Sequence, residues 1–149
     1  MSVIYDYFSA ASDEEAVRVL GVEAGPTAED SGFDAGTLGS IDPVVQLGTL
    51  EALLTGVPYD DVTEDPRAGH NLAMSDDYDR IVITVTDALA SALAAADDAR
   101  LAEVAEPWSQ TDELAGADPA DLAAFARDLA ALARRAPASG HRVYCWACL

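Results

Sequence analysis

Lysine is missing altogether: the eight basic residues are all arginines, set against 27 Asp and Glu for a formal charge of −19. Such a field repels phosphate backbones and anionic headgroups, so nucleic-acid binding and docking on a membrane are both disfavoured. It attracts a basic protein partner instead. Richness in Ala, Asp and Arg without Lys is also what a GC-rich genome or a salt-adapted proteome produces. The acids are spread evenly, with 14 before Arg67 and 13 after it, so no acidic tail stands apart as a docking arm. Histidine is limited to His70 and His141, and cysteine to Cys145 and Cys148. No second cysteine pair exists to complete a four-thiolate zinc centre. No apolar run approaches the roughly 18 residues of a membrane-crossing helix. The opening MSVIYDYFSAASDEE has no basic n-region and soon turns acidic, which predicts no secretory leader and a cytoplasmic location. G-x-S-x-G, a phosphate-cradling glycine loop and H-E-x-x-H are also absent. Carboxylates are so abundant that no single pair points to acid–base catalysis.

What is present is helix and strand patterning over 149 residues, a length that suits one globular domain with a continuous core. The clearest helix is Ile41–Gly56. Asp42 is placed to cap it, Pro43 sits at its first position, and Gly56 supplies a left-handed end. Val44, Leu47, Leu50 and Leu54 share one stripe, which Leu53 widens, and the stripe predicts a helix packed on its inner side.

Ser2–Ser9 reads as a strand apolar on both faces, Tyr5 and Tyr7 pointing one way, Ile4 and Phe8 the other. Ser12 and Glu15 form a capping box that opens a helix of about ten residues ending at Gly21. Val22–Ser40 is a long glycine-containing connection, with a short extended piece around Phe33, and is a candidate rim for a site. Val57–Gly69 is an acidic turn-rich loop whose spacing matches no calcium-binding pattern.

His70–Met74 and Arg80–Val85 predict a hairpin across Ser75–Asp79. Thr86 or Thr84 then caps a helix from Asp87 to about Ala96. Asp97 or Asp98 opens another, ending near Pro107, with Trp108 in the loop beyond. Asp118 and Pro119 open the last helix, in which Leu122, Phe125, Leu129 and Leu132 share a face. Arg134 and Arg135 oppose its C-terminal dipole and Gly140 closes it. HRVYCWACL reads as a final strand pairing inside the sheet beside the first. The predicted class is α+β, a small mixed or antiparallel sheet of about four strands packed against four to five helices.

Cys145-Trp146-Ala147-Cys148 is the one motif with chemistry attached. A Cys-x-x-Cys pair can be a redox dithiol or supply two thiolates to zinc, with His141 or His70 as further ligands. Thiol oxidoreductases, however, place the pair at a helix start, and none follows here. In an extended strand, residues three apart face opposite ways, so the plain alternative puts Val143, Cys145 and Ala147 on one layer and Tyr144, Trp146 and Cys148 on the other. Trp108 and Phe33 are the aromatics that could anchor a partner; a core role for Trp108 is the simpler alternative.

Tyr5-Asp6-Tyr7-Phe8 before a short acidic helix, Ile41-Asp42 with Leu47, Leu53-Leu54-Thr55-Gly56, the helix of Thr86–Ala96 and the closing helix with its apolar strand together resemble the YfbM-like family of small bacterial proteins. The resemblance implies a single α+β domain and carries over no catalytic residue and no cofactor. The terminal Cys pair and the long glycine-containing loop depart from the family's pattern. The expected function is therefore a non-enzymatic binding module for a basic protein, an immunity-type inhibitor being one concrete case. The alternative is a thiol-redox or zinc protein built on Cys145 and Cys148.

Overall fold

A computed structural model describes residues 3–37 and 41–149. Ser2, and the end of the 22–40 connection from Leu38 to Ser40, lie outside the described residues.

The central feature is a five-stranded, wholly antiparallel sheet in the order β2-β1-β5-β4-β3. β1 (Ile4–Ala10) and β5 (Arg142–Cys148) pair along seven residues, from Ile4 opposite Cys148 to Ala10 opposite Arg142. The chain's last strand is thus the middle of the sheet, flanked on its other side by β4 (Arg80–Thr84). The extended piece near Phe33 is a true edge strand, β2 (Asp34–Thr37), which raises the strand number from four to five.

β3 (Asn71–Met74) joins β4 through the predicted hairpin. Its turn closes with the Tyr78 N–H donating to the Ser75 carbonyl at 3.0 Å. Tyr78 then adopts φ 61°, the left-handed position that a type I turn plus bulge normally gives to glycine or asparagine.

Among the described residues, six α-helices surround the sheet. α1 (Asp13–Val17) is shorter than expected and passes into a 3-10 turn, Arg18–Gly21, though Ser12 caps it as predicted, accepting from the Glu15 N–H at 3.1 Å. α2 (Val45–Thr55) starts later than the sequence suggests. Asp42 still caps it, one carboxylate oxygen accepting from the Val44 and Val45 N–H groups at 2.8 Å, but Pro43 and Val44 form an irregular entry turn. This turn swings Val44 outward to 48% exposure, so the inner stripe is Leu47 and Leu50, with Leu53 and Leu54 partly covered.

α3 (Tyr59–Val62) is one turn within the acidic loop. α4 (Asp87–Ala95) and α5 (Asp98–Ser109) are capped by Thr86 and Asp97. α5 continues through Pro107 rather than ending there, which draws Trp108 into its last turn.

α6 (Pro119–Ala138) is the longest helix, and its Leu122, Phe125, Leu129 and Leu132 face the sheet core. Its end is a paired cap: the His141 N–H reaches the Ala136 carbonyl at 2.8 Å and the Gly140 N–H reaches Pro137 at 3.0 Å. α2, α4, α5 and α6 cover the face carrying Tyr7, Ile83, Val143, Cys145 and Ala147. The other face, with Phe8, Val82, Tyr144 and Trp146, lies under α1, the 3-10 turn and the residues around Phe33.

Among the described residues, no helix is long and apolar enough to cross a membrane.

Candidate functional site

The cysteine and histidine positions singled out in the sequence are kept apart by the fold. Cys145 is fully buried on the helix-covered face, where burial pushes its thiol well above the ordinary range and away from thiolate chemistry. Cys148 lies on the opposite face and is half-buried. This is the alternation of a straight strand, and it denies one ion both sulfurs. His141, just beyond α6, pairs its Nδ1 with the Ser9 hydroxyl at 3.1 Å. His70 is exposed ahead of β3, and its carbonyl accepts from the Thr84 N–H at 2.9 Å. Among the described residues, no group of three His, Cys, Asp or Glu is placed to hold a metal.

The two aromatics are spent on packing. Trp108 is fully buried, donates its indole N–H to the Gln46 carbonyl at 3.0 Å, and tilts against Phe125 at 6.0 Å between ring centres. Phe33 stands half-buried, edge-on to Phe8 at 5.2 Å.

A hollow of about 500 Å³ lies between α4, the end of α6 and the start of β5. Five alanines of α4 and α6 line it, and of its polar groups His141 pairs with Ser9 and Arg142 with Asp87 at 3.3 Å.

A smaller slot, about 90 Å³, opens between α2, the 57–69 segment and the start of α4, and it is lined by Leu47, Val62, Val85 and Leu89 with Glu51, Thr63 and Thr86. Glu51 is 5% exposed and is the sole charged residue of α2. Its Oε1 accepts from the Thr86 hydroxyl, which in turn accepts from the Leu89 N–H at 3.1 Å as the cap of α4. Glu51 lines the slot, and the Thr86 hydroxyl is the one side-chain partner of its carboxylate among the described residues. Burial, chiefly, raises the Glu51 carboxyl above its ordinary range; the Thr86 hydrogen bond opposes that and the charge of Asp65 adds to it.

The slot's outer wall is fastened from behind. The Thr84 hydroxyl donates to the Arg67 carbonyl at 2.7 Å, and the Arg67 guanidinium grips Asp13 with two contacts of 3.2 Å. Gly48 gives room for the Tyr59 ring, since a Cβ there would stand 3.0 Å from it. Exposed Val44 lines the slot and exposed Tyr59 packs beside Gly48 in its wall, while Asp60, Asp61 and Glu64 of the 57–69 segment are exposed.

Sequence reasoning passed over Glu51. The signal was available: it falls four residues after Leu47, on the face that the leucines mark as inner, and a charge in such a stripe is the informative exception. No family model matches the chain, and the comparisons with curated proteins and with solved structures found no match.

Proposed function

We propose that the protein is a cytoplasmic, non-enzymatic binding module for a basic protein partner, engaged through the surface around α2 and α3. The observation that carries this is a slot with a carboxyl group in its wall, exposed Val44 in its lining and exposed Tyr59 beside Gly48, next to the exposed acids of the 57–69 segment. Apolar anchors supply contact area, while like-signed charges around them raise the encounter rate with a partner of opposite sign. The net charge of −19 extends that steering beyond the slot. The likeness to the YfbM-like proteins rests on element order and on Ile41–Gly56, and it adds no chemistry to this reading.

The test is an immobilised-protein capture from native lysate, repeated with Asp60→Arg/Asp61→Arg protein. A lysine- and arginine-rich protein should be retained by the wild type, released by moderate salt, and retained poorly by the double variant. Retention of no protein, or retention indifferent to both salt and the substitutions, refutes the proposal.

A further inference from the structure

Resting on the partner reading above, we infer that the Glu51 slot is a receptor for one primary alkylammonium, the end of a lysine side chain on the basic partner. Three features of the slot select that chemistry. The first is charge: a single acidic group stands among apolar walls, and a cation is its natural complement. The second is denticity. One oxygen of Glu51 is occupied by Thr86, so the carboxylate does not offer both oxygens to a fork. A guanidinium is recognised best by two parallel bonds to a carboxylate, whereas an ammonium is a point charge that one oxygen satisfies. The third is size. At about 90 Å³ the slot is small and takes only the end of a chain. A compact ammonium asks less of that room than a planar guanidinium does. Leu47, Val62 and Leu89 are placed to sheathe the methylene stem, and the Thr63 hydroxyl, which donates to the Asp60 carbonyl at 2.8 Å, has lone pairs left to accept.

Occupation is coupled to protonation. The charged group that raises Glu51 from the 57–69 segment is Asp65. Thr86 brings a hydroxyl from α4, and Arg100 of α5, which reaches the Leu53 carbonyl, is paired with Glu103. A bound ammonium favours the carboxylate, so binding releases a proton from the fraction of molecules still protonated and strengthens as pH rises through the Glu51 titration.

The experiment titrates the full chain with n-butylammonium, n-propylguanidinium and 1-pentanol, following carboxyl carbon and α2 amide NMR signals. Butylammonium should bind with roughly millimolar affinity, shift the Glu51 carboxyl signal, and lower its titration midpoint. The guanidinium and the alcohol should bind at least about tenfold more weakly, and Glu51→Gln should cost about the same factor. Ala68→Leu, which fills the slot while leaving Glu51 in place, should abolish binding in a protein whose melting remains cooperative.

No shift at Glu51 with butylammonium, or equal binding of all three probes, overturns the inference. That result leaves the partner reading standing if lysate capture succeeds, and failed capture beside a bound butylammonium removes the partner while leaving the slot.

Discussion

On the face turned to α2, α4, α5 and α6, the large polar-tipped aromatics are mated: the Tyr7 hydroxyl donates to the Ile41 carbonyl at 2.6 Å and the Trp108 indole to Gln46 at 3.0 Å. On the opposite face, Asp6 Oδ1, the Trp146 indole N–H and Arg67 Nε are buried without partners among the described residues. Asp6 and Trp146 are even direct cross-strand neighbours.

The difference follows from what covers each face. The Ile41 carbonyl ahead of α2 accepts from Tyr7, and the Gln46 carbonyl in the first turn of α2 accepts from Trp108. The thin cover over the second face meets Trp146 with Gly25, whose absent side chain lets the backbone lie on the indole; a Cβ there would come within 2.9 Å of the ring. Close approach without an acceptor leaves donors unsatisfied, and each such group costs about 1–3 kcal/mol. Where the second face is polar and satisfied, it is a tether: Tyr144 donates to Asp13 at 2.6 Å and Arg67 closes the set over the Tyr144 ring.

The sharpest way to break this comparison is to make the same substitution on both sides. Trp108→Phe removes ring volume and a buried indole hydrogen bond, and should cost about 2–3 kcal/mol in urea unfolding. Trp146→Phe removes an indole whose N–H had no partner and should cost less than half as much. Equal losses would mean that the two faces do not differ in polar satisfaction.

A smaller effect is expected at Asp6. Burial raises its carboxyl above the ordinary value, so the folded chain holds that proton more tightly than the unfolded one. The linked stability is fully present below the unfolded value near 3.8 and is lost as pH rises through the higher folded one. Asp6→Asn should therefore gain about 1 kcal/mol at neutral pH and flatten stability across that window. Asp13, held below its usual range by Arg67 and Tyr144, works with opposite sign, losing stability as the solution is acidified through its lowered value. An Asp6→Asn protein with an unchanged pH profile would show that its carboxyl is not strained.

The smallest expected change is at the hairpin tip. Tyr78 sits in the left-handed region with its side chain 69% exposed, so nothing within the fold offsets the strain. Tyr78→Gly should stabilise by roughly 1 kcal/mol or less in thermal melts, and a loss would mean that the ring makes contacts that matter.

The elements were legible from sequence wherever a local rule writes them. Thr86, Asp97 and Asp118 are caps in the chain and caps in the fold, because a cap needs only a side chain and an N–H two or three residues on. The opposite facing of Cys145 and Cys148 follows from the two-residue period alone. Trp108 was misplaced beyond the end of α5 because a proline inside a pattern signals a stop, while the helix runs two residues past Pro107 to Ser109.

Caps, hairpin, strand alternation and the long terminal helix were determined by the amino-acid order itself, since each depends on hydrogen bonds or side-chain periods spanning a few residues. Only the tertiary structure decided that β4 flanks the last strand on its other side, that Val44 turns outward, and that Thr86 meets Glu51 across 35 residues. Those outcomes depend on which distant surfaces meet, and the slot at Glu51 exists because three separated segments leave a gap that none of them encodes alone.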